Sequence, residues 1–171
     1  YLLKALKNYS LFEKPVVQEI SATHFLDDFI ALIRDDFSQK SIRIHSVISE
    51  KDISVWADSR ALHHIMLNLL TNAADALKDT SLAKIVINVT RKGDWVEIKI
   101  DDNGCGISDT DQQNLFKPFF TSKTTGTGLG LVIVRKMLAA MHSHIKIESY
   151  QGIGTTVTIS LPGKENVWPK N

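Results

Sequence analysis

The chain has 171 residues, 43% hydrophobic and 23% charged, with a formal net charge of +1. This suits one soluble globular domain with a sizeable core and a short appendage, and it gives no electrostatic basis for a nucleic-acid or membrane-surface partner. The single cysteine, Cys105, excludes an intrachain disulfide and a cysteine metal cluster, and it suits a reducing compartment.

No apolar run reaches transmembrane length and no signal peptide opens the chain. Tyr1 stands first, so a piece of a longer protein is expected. In residues 1–14, Leu2, Leu3, Leu6 and Tyr9 recur at near-helical spacing, as at the frayed end of a preceding helix that Pro15 stops. Phe25, Phe29, Leu32, Ile33 and Phe37 predict a helix from Ser21, its N-cap, to about Lys40. Arg43 to Ile48 alternates like a short strand.

Asp58 or Ser59 can cap the next helix, predicted to run to about Lys78. Its apolar face is Leu62, Ile65, Met66, Leu69, Leu70, Ala73 and Leu77. The other face carries His64, Asn68, Asn72 and Asp75 as one polar stripe. Lys84 to Arg91 and Trp95 to Asp101 read as strands joined at Lys92-Gly93-Asp94 into a hairpin. Glycine-bearing loops follow at Asp101 to Ile107 and Thr121 to Gly130, around a polar segment ending in Phe116, Phe119 and Phe120. Leu129 to Met141 reads as a helix, and His144 to Tyr150 and Thr155 to Leu161 as two last strands. The tail from Pro162 is polar and expected to be disordered. Without strict βαβ alternation, the fold class expected is α+β: a two-layer sandwich with helices on one face of a mixed sheet.

Four features carry chemistry. Asn68 and Asn72 lie mid-helix, where asparagine is not favoured. A solvated face would account for them, as would a pocket wall whose amide oxygens suit Mg²⁺. Asp102-Asn103-Gly104-Cys105-Gly106-Ile107 follows a strand. It could be a simple turn, or a carboxylate placed to accept from an exocyclic amine such as adenine's, over a backbone that glycine lets a flat ring approach. Gly126-Thr127-Gly128-Leu129-Gly130-Leu131 runs into a helix. It is a flexible loop or a phosphate site at a helix N-terminus, with Lys123 nearby as a point charge. Neither a Gly-Lys-Ser/Thr P-loop nor a dinucleotide fingerprint within a βαβ unit fits it. In Gly152-Ile153-Gly154-Thr155, a hairpin turn or a Thr hydroxyl supporting the adenine-side carboxylate through a water are both open.

Taken in order, these segments resemble the superfamily that joins gyrase, the large heat-shock chaperones, the mismatch-repair ATPases and histidine kinases (the GHKL superfamily). Asn68-Leu-Leu-Thr-Asn72-Ala-Ala is similar to its N box and Asp102-Asn-Gly-Cys-Gly to its first glycine box. Leu115-Phe-Lys-Pro-Phe-Phe120 is similar to the F box. Gly126-Thr-Gly-Leu-Gly130 and Gly152-Ile-Gly-Thr155 are similar to the later glycine boxes. The resemblance spans about residues 20–162. Within it, ATPase members usually carry glutamate at position 68 as general base for water. Asn68 cannot take a proton near neutral pH, so an external nucleophile is implied. The F box and Asn-Ala-Ala-Asp-Ala resemble the catalytic domain of sensor histidine kinases, most closely the nitrogen-regulation type.

The resemblance implies ATP and Mg²⁺ as cofactors, with Asn72 holding the metal and Asn68 and Lys123 acting near the phosphates. It puts Asp102 on the adenine amine, over a floor shaped by Gly104, Gly106 and Ile107, with Thr155 supporting it. Asp75, Phe120, Thr121, Lys123, Gly126, Thr127, Gly128, Leu129 and Gly130 would line the remaining site, under a mobile lid from Ser108 to Thr125. The implied organisation is the end of a dimerisation and phosphoacceptor helical domain, or a linker, in residues 1–14, the catalytic domain in 15–162 and a polar tail in 163–171. The implied partners are an upstream phosphoacceptor helical domain, homodimeric in the full-length protein, and a response-regulator receiver domain. The implied setting is the cytoplasmic side of a membrane-anchored bacterial sensor, with no nucleic-acid or membrane contact by this fragment.

Two departures stand out. Asp75 occupies a position where many members have a basic residue. None of His24, His45, His63, His64, His142 and His144 sits in a phosphoacceptor context, so the acceptor is expected upstream. A conformational ATPase, a nucleotide-binding interaction module and a serine-phosphorylating relative remain as alternative readings.

Overall fold

The computed structural model describes residues 14–50, 52–123 and 126–164. The expected helix end in residues 1–14 lies almost wholly outside them. The elements in order are β1 (Gln18–Ser21), α1 (Ala22–Gln39), β2 (Arg43–Ile48), β3 (Ser54–Ala57), α2 (Ser59–Ala76), β4 (Lys84–Lys92), β5 (Trp95–Asp102), α3 (Asp109–Gln112), α4 (Gly130–Ala140), β6 (His144–Tyr150) and β7 (Gly154–Pro162).

Helix α1 starts where the sequence places it. The Ser21 side chain accepts a hydrogen bond from the His24 N–H at 3.2 Å, satisfying one orphan donor of the first turn. Its buried stripe is Phe25, Leu26, Phe29, Ile30, Ile33 and Phe37, while Leu32 is 72% exposed and belongs to the other face. Phe25 and Phe29 also hold the His63 ring of α2, with centroids 4.8 and 5.3 Å away, so His63 packs the two helices together.

Five strands form one mixed sheet in the order β2-β4-β5-β7-β6. Only β2 and β4 run parallel; β4–β5 is the expected hairpin, with Lys92 opposite Trp95. Strand alternation gives the sheet two unlike faces. Ile85, Ile87, Val89, Val96, Ile98, Ile100, Ile159 and Leu161 are buried together with the apolar faces of α1, α2 and α4. The opposite rows carry Asn88, Glu97, Lys99, Asp101, Thr156 and Thr158. There Thr156 donates to Asp101 at 2.6 Å and Lys99 pairs with it at 3.2 Å. This is the expected two-layer sandwich, with helices on one face.

Four differences from the sequence reading are local. The residues between α1 and α2 contain a strand, β3, which pairs with β1 as a separate two-stranded sheet. Both have four residues, too few to show a period. A short helix, α3, opens the segment after the first glycine loop, capped by Ser108 on the Asp111 N–H. Asp102 is the last residue of β5 rather than the first of the loop. Pro162 closes β7, and Gly163 is buried, its N–H bonded to the Asp94 carbonyl at 2.8 Å, so these two residues finish the sheet rather than open a tail, and the expected tail from residue 165 lies outside the described residues.

Candidate functional site

Helix α2 faces the inner ends of β5, β7 and β6 across a cleft of about 740 Å³. The N-terminus of α2 is fixed by Asp58, only 2% exposed, whose Oδ1 accepts from the Arg60 and Ala61 N–H groups at 2.9 and 3.2 Å. Its Oδ2 accepts from the Val16 N–H at 2.8 Å, tying the incoming chain to the same point. Burial works to raise the Asp58 carboxyl, but the hydrogen bonds from Val16, Arg60 and Ala61 outweigh it and hold it below the ordinary carboxylate value. From that anchor the helical period carries Asn68, Asn72 and Asp75 down the cleft wall, with Leu69, Ala73 and Ala76 beside them.

The floor is set by sheet register. Asp102 on β5 stands opposite Thr155 on β7, which stands opposite Ser149 on β6. Ile100, Val157 and Ile147 lie two residues away along the same strands, on the same face, and give the floor an apolar surface. Asp102 accepts from the Gly104 N–H at 2.9 Å and from the Thr155 N–H. Burial pushes its carboxyl above the ordinary value despite those two donors. The Thr155 hydroxyl is bonded to Ser149 Oγ at 2.9 Å, so the direct support Thr155 gives Asp102 comes from its backbone rather than its side chain.

The first glycine loop is held close. Gly104 does not line the cleft. It lies behind it, where a Cβ would meet the Ala76 carbonyl oxygen at 2.7 Å. Gly106 does line it, with φ +66° and the Tyr150 carbonyl against the position a Cβ would take, so only glycine fits there. Ile107, also in the lining, is tied to β6 through its N–H and Ser149 Oγ at 2.8 Å. Gln112 fastens the following segment, its amide donating to the carbonyls of Ile107 and Ser149 at 3.0 and 2.9 Å.

The second glycine segment forms the far wall. Phe120, Thr121, Gly126, Thr127 and Gly128 line the cleft, and Phe119 donates to the Gly128 carbonyl at 3.0 Å. Leu129 is the N-cap of α4 and stays out of the lining, and it makes no side-chain cap. The first turn of α4, Gly130 and Leu131, therefore opens onto the cleft with uncapped N–H groups, and Gly130 packs against the Asn68 side-chain oxygen. Phe116 is pinned under the Arg135 guanidinium of α4, 4.8 Å above its ring.

Lys123 reaches across the cleft. Its Nζ lies 2.7 Å from Asn72 Oδ1 and 2.7 Å from Asp75 Oδ2, while Lys78 holds Asp75 Oδ1 at 3.0 Å. Burial works to raise the Asp75 carboxyl; the hydrogen bonds and charges of Lys123 and Lys78 outweigh it and hold it low. Ser149, Gln112 and the apolar floor are the lining or supporting groups that sequence reasoning missed. None stands in a motif: strand register brings Ser149 and the floor to the site, and α3 brings Gln112.

The cleft can thus receive a flat, amine-bearing ring over Ile100 and Val157 against Asp102, and an anion at the start of α4. The family described as histidine kinase-, DNA gyrase B-, and HSP90-like ATPase matches residues 57–165. The chain is 33% identical to the signal transduction histidine-protein kinase AtoS of Escherichia coli over 146 residues, 85% of this chain and 24% of AtoS. It is 33% identical to sporulation kinase B of Bacillus subtilis over 152 residues, 89% of this chain and 34% of that protein. It therefore spans only about a quarter to a third of these relatives' length. Among solved structures, the catalytic domain of histidine kinase ThkA superposes with a TM-score of 0.79 at 25% identity, covering 89% of this chain and 99% of that one. ThkA has also been solved in complex with the response regulator TrrA. The chain belongs to the histidine kinase-, DNA gyrase B- and HSP90-like ATPase family, whose ATP-binding domain it is, and the proteins it resembles include histidine kinases.

Proposed function

We propose that this domain binds Mg·ATP in the cleft and donates the γ-phosphate to a histidine on a separate helical dimerisation domain. It would act as the catalytic part of a two-component sensor kinase that feeds a response-regulator receiver domain. The observation that carries this is the joining, in one cleft, of Asp102 over an apolar floor with the uncapped start of α4. Asp102 accepts from the adenine amine, Gly106 and Ile107 border the ring, and the first N–H groups of α4 with Gly126, Thr127 and Gly128 receive the phosphates. Asn68 lies against Gly130 at the phosphate end. It offers no base for water, which favours transfer to a protein acceptor over hydrolysis.

The residues present fit Mg²⁺. Asn72 and Asp75 turn hard oxygens toward one point that an ammonium already marks, and the cation prefers oxygen, with waters and substrate phosphates as its other ligands. Bound there, the metal would neutralise phosphate charge. In the parent protein the domain would work on the cytoplasmic side of a membrane-anchored sensor, dimeric through the helical domain. Among the described residues no helix is long and apolar enough to cross a membrane.

The test has two stages. Calorimetry with ADP and GDP should show adenine-selective binding. Incubation with labelled Mg·ATP and the parent's helical histidine domain should then label that domain in an acid-labile form. Rapid hydrolysis to free phosphate without such labelling would overturn the kinase reading.

A further inference from the structure

Asn72 and Asp75 sit three residues apart on α2, so they share a face. Asn72 Oδ1 and Asp75 Oδ2 are each 2.7 Å from a single atom, Lys123 Nζ. Two oxygens, one of them charged, converge on one cationic centre that comes from the opposite wall of the cleft. The lysine side chain is 37% exposed and the aspartate side chain 28%, so the group is accessible to solvent and its ions. Lys78 is the other charged partner of this aspartate, and it uses the remaining oxygen, Oδ1, leaving Oδ2 to the shared point.

We infer that Asn72 and Asp75 together form a divalent-cation site whose resting occupant is the ammonium of Lys123, so that metal entry and release of Lys123 are one exchange. The inference rests on the nucleotide reading above and extends it. Asp75 becomes a ligand rather than a bystander, and Lys123 is held away from the phosphate end of the cleft until a cation replaces it. An ammonium needs oxygen acceptors and a divalent metal needs oxygen ligands, and an amide oxygen with a carboxylate serves either. They cannot occupy the same point, so each excludes the other. Once displaced, Lys123 can turn toward the phosphates, and its charge then adds to the metal's instead of opposing it.

The consequence is specific. Without nucleotide the domain should bind metal weakly, because its own lysine competes, and removing that lysine should strengthen metal binding. The experiment titrates Mn²⁺ into the nucleotide-free domain and follows the loss of the free-ion signal by electron paramagnetic resonance. The proteins compared are the wild type, Lys123→Met, and Lys123→Met combined with Asp75→Asn, each checked for folding by circular dichroism. Lys123→Met should bind Mn²⁺ at least about fivefold more tightly than the wild type, a modest gain because the displaced ion pair is partly solvated. The double variant should return to the wild-type level or below. Equal Mn²⁺ affinity in wild type and Lys123→Met, or a gain that survives Asp75→Asn, would overturn the exchange. ADP titrated in the presence of EDTA separates the two claims. A folded wild type that binds metal-free ADP while the Mn²⁺ arm fails loses only this inference, whereas a folded wild type that binds no ADP either in EDTA or with Mg²⁺ loses the nucleotide reading itself.

Discussion

Replacing Asp102 by asparagine separates the cost of a buried charge from its use. The two side chains are nearly the same size, and an amide oxygen can still accept from the Gly104 N–H that now lies 2.9 Å from Oδ1. The other oxygen becomes an NH₂ group, a donor that would face the Thr155 N–H and the amine of a bound adenine. A hydrogen bond to a charged acceptor contributes about 1.5–3 kcal/mol, so ADP should bind roughly tenfold to 150-fold more weakly, at about 1.4 kcal/mol per factor of ten. Stability should move the other way. Burial holds the Asp102 carboxyl above its ordinary value in the folded state. The folded protein therefore keeps this proton to higher pH than the unfolded chain does. The resulting penalty is absent below the unfolded-state value, sets in as pH rises toward the folded-state value, and is complete above it. Asparagine carries no such penalty. At pH 7 the variant should melt no lower than the wild type while losing nucleotide, and in acid the two melting temperatures should converge. Calorimetry with ADP and a pH series of melting curves measure both. Unchanged ADP affinity would refute the adenine contact, and a large fall in melting temperature at pH 7 would show that the carboxylate mainly holds the Gly104 turn.

Asp58→Ala removes the α2 cap and leaves the Val16 N–H without its acceptor, at a cost of about 2–4 kcal/mol, or a melting temperature lower by roughly 5–15 °C. Because Asp58 is held below the ordinary carboxylate value, its contribution is present above the unfolded-state value and disappears as pH falls through the folded-state one. The gap to the wild type should therefore close in acid, and a constant gap through that window would count against the charge. Gly106→Ala and Gly93→Ala both place alanine at positive φ, +66° and +63°, but only at Gly106 does backbone stand where the Cβ must go. Urea unfolding should show about 1 kcal/mol lost at Gly93, the left-handed penalty alone, and clearly more at Gly106 with loss of ADP binding; equal losses would refute the close-approach argument. Gln112→Leu removes both donors to the Ile107 and Ser149 carbonyls, so amide exchange should quicken around residues 107–112 while exchange in β4 and β5 stays slow.

Much of the fold was legible because its signals are local. The 3.6-residue stripe of α1, its Ser21 cap, the Arg43–Ile48 strand and the Gly93-Asp94 hairpin depend on neighbours within a few residues, and each lies where the sequence puts it, except that Leu32 falls outside the buried stripe. β1 and β3 were not legible. Four residues carry no period, and each strand is defined by the other across the intervening α1 and β2.

The site divides in the same way. By itself the sequence determined the short-range patterns, a polar stripe on a helix and glycines before a helix, and their order carried the family resemblance that named the site residues. Asn68, Asn72, Asp102, Gly106, Gly126, Gly128 and Gly130 all line one cleft. Tertiary structure alone decided how they are supported and what they touch. The register of β5, β7 and β6 lines up Asp102, Thr155 and Ser149 and buries the carboxylate, a shift no linear motif encodes. The meeting of Lys123 with Asp75, 48 residues apart, places the residue that departs from the family pattern on a cationic centre. Charge and hydrogen-bond partners act over a few ångströms of space, and only the folded chain fixes which groups share that space.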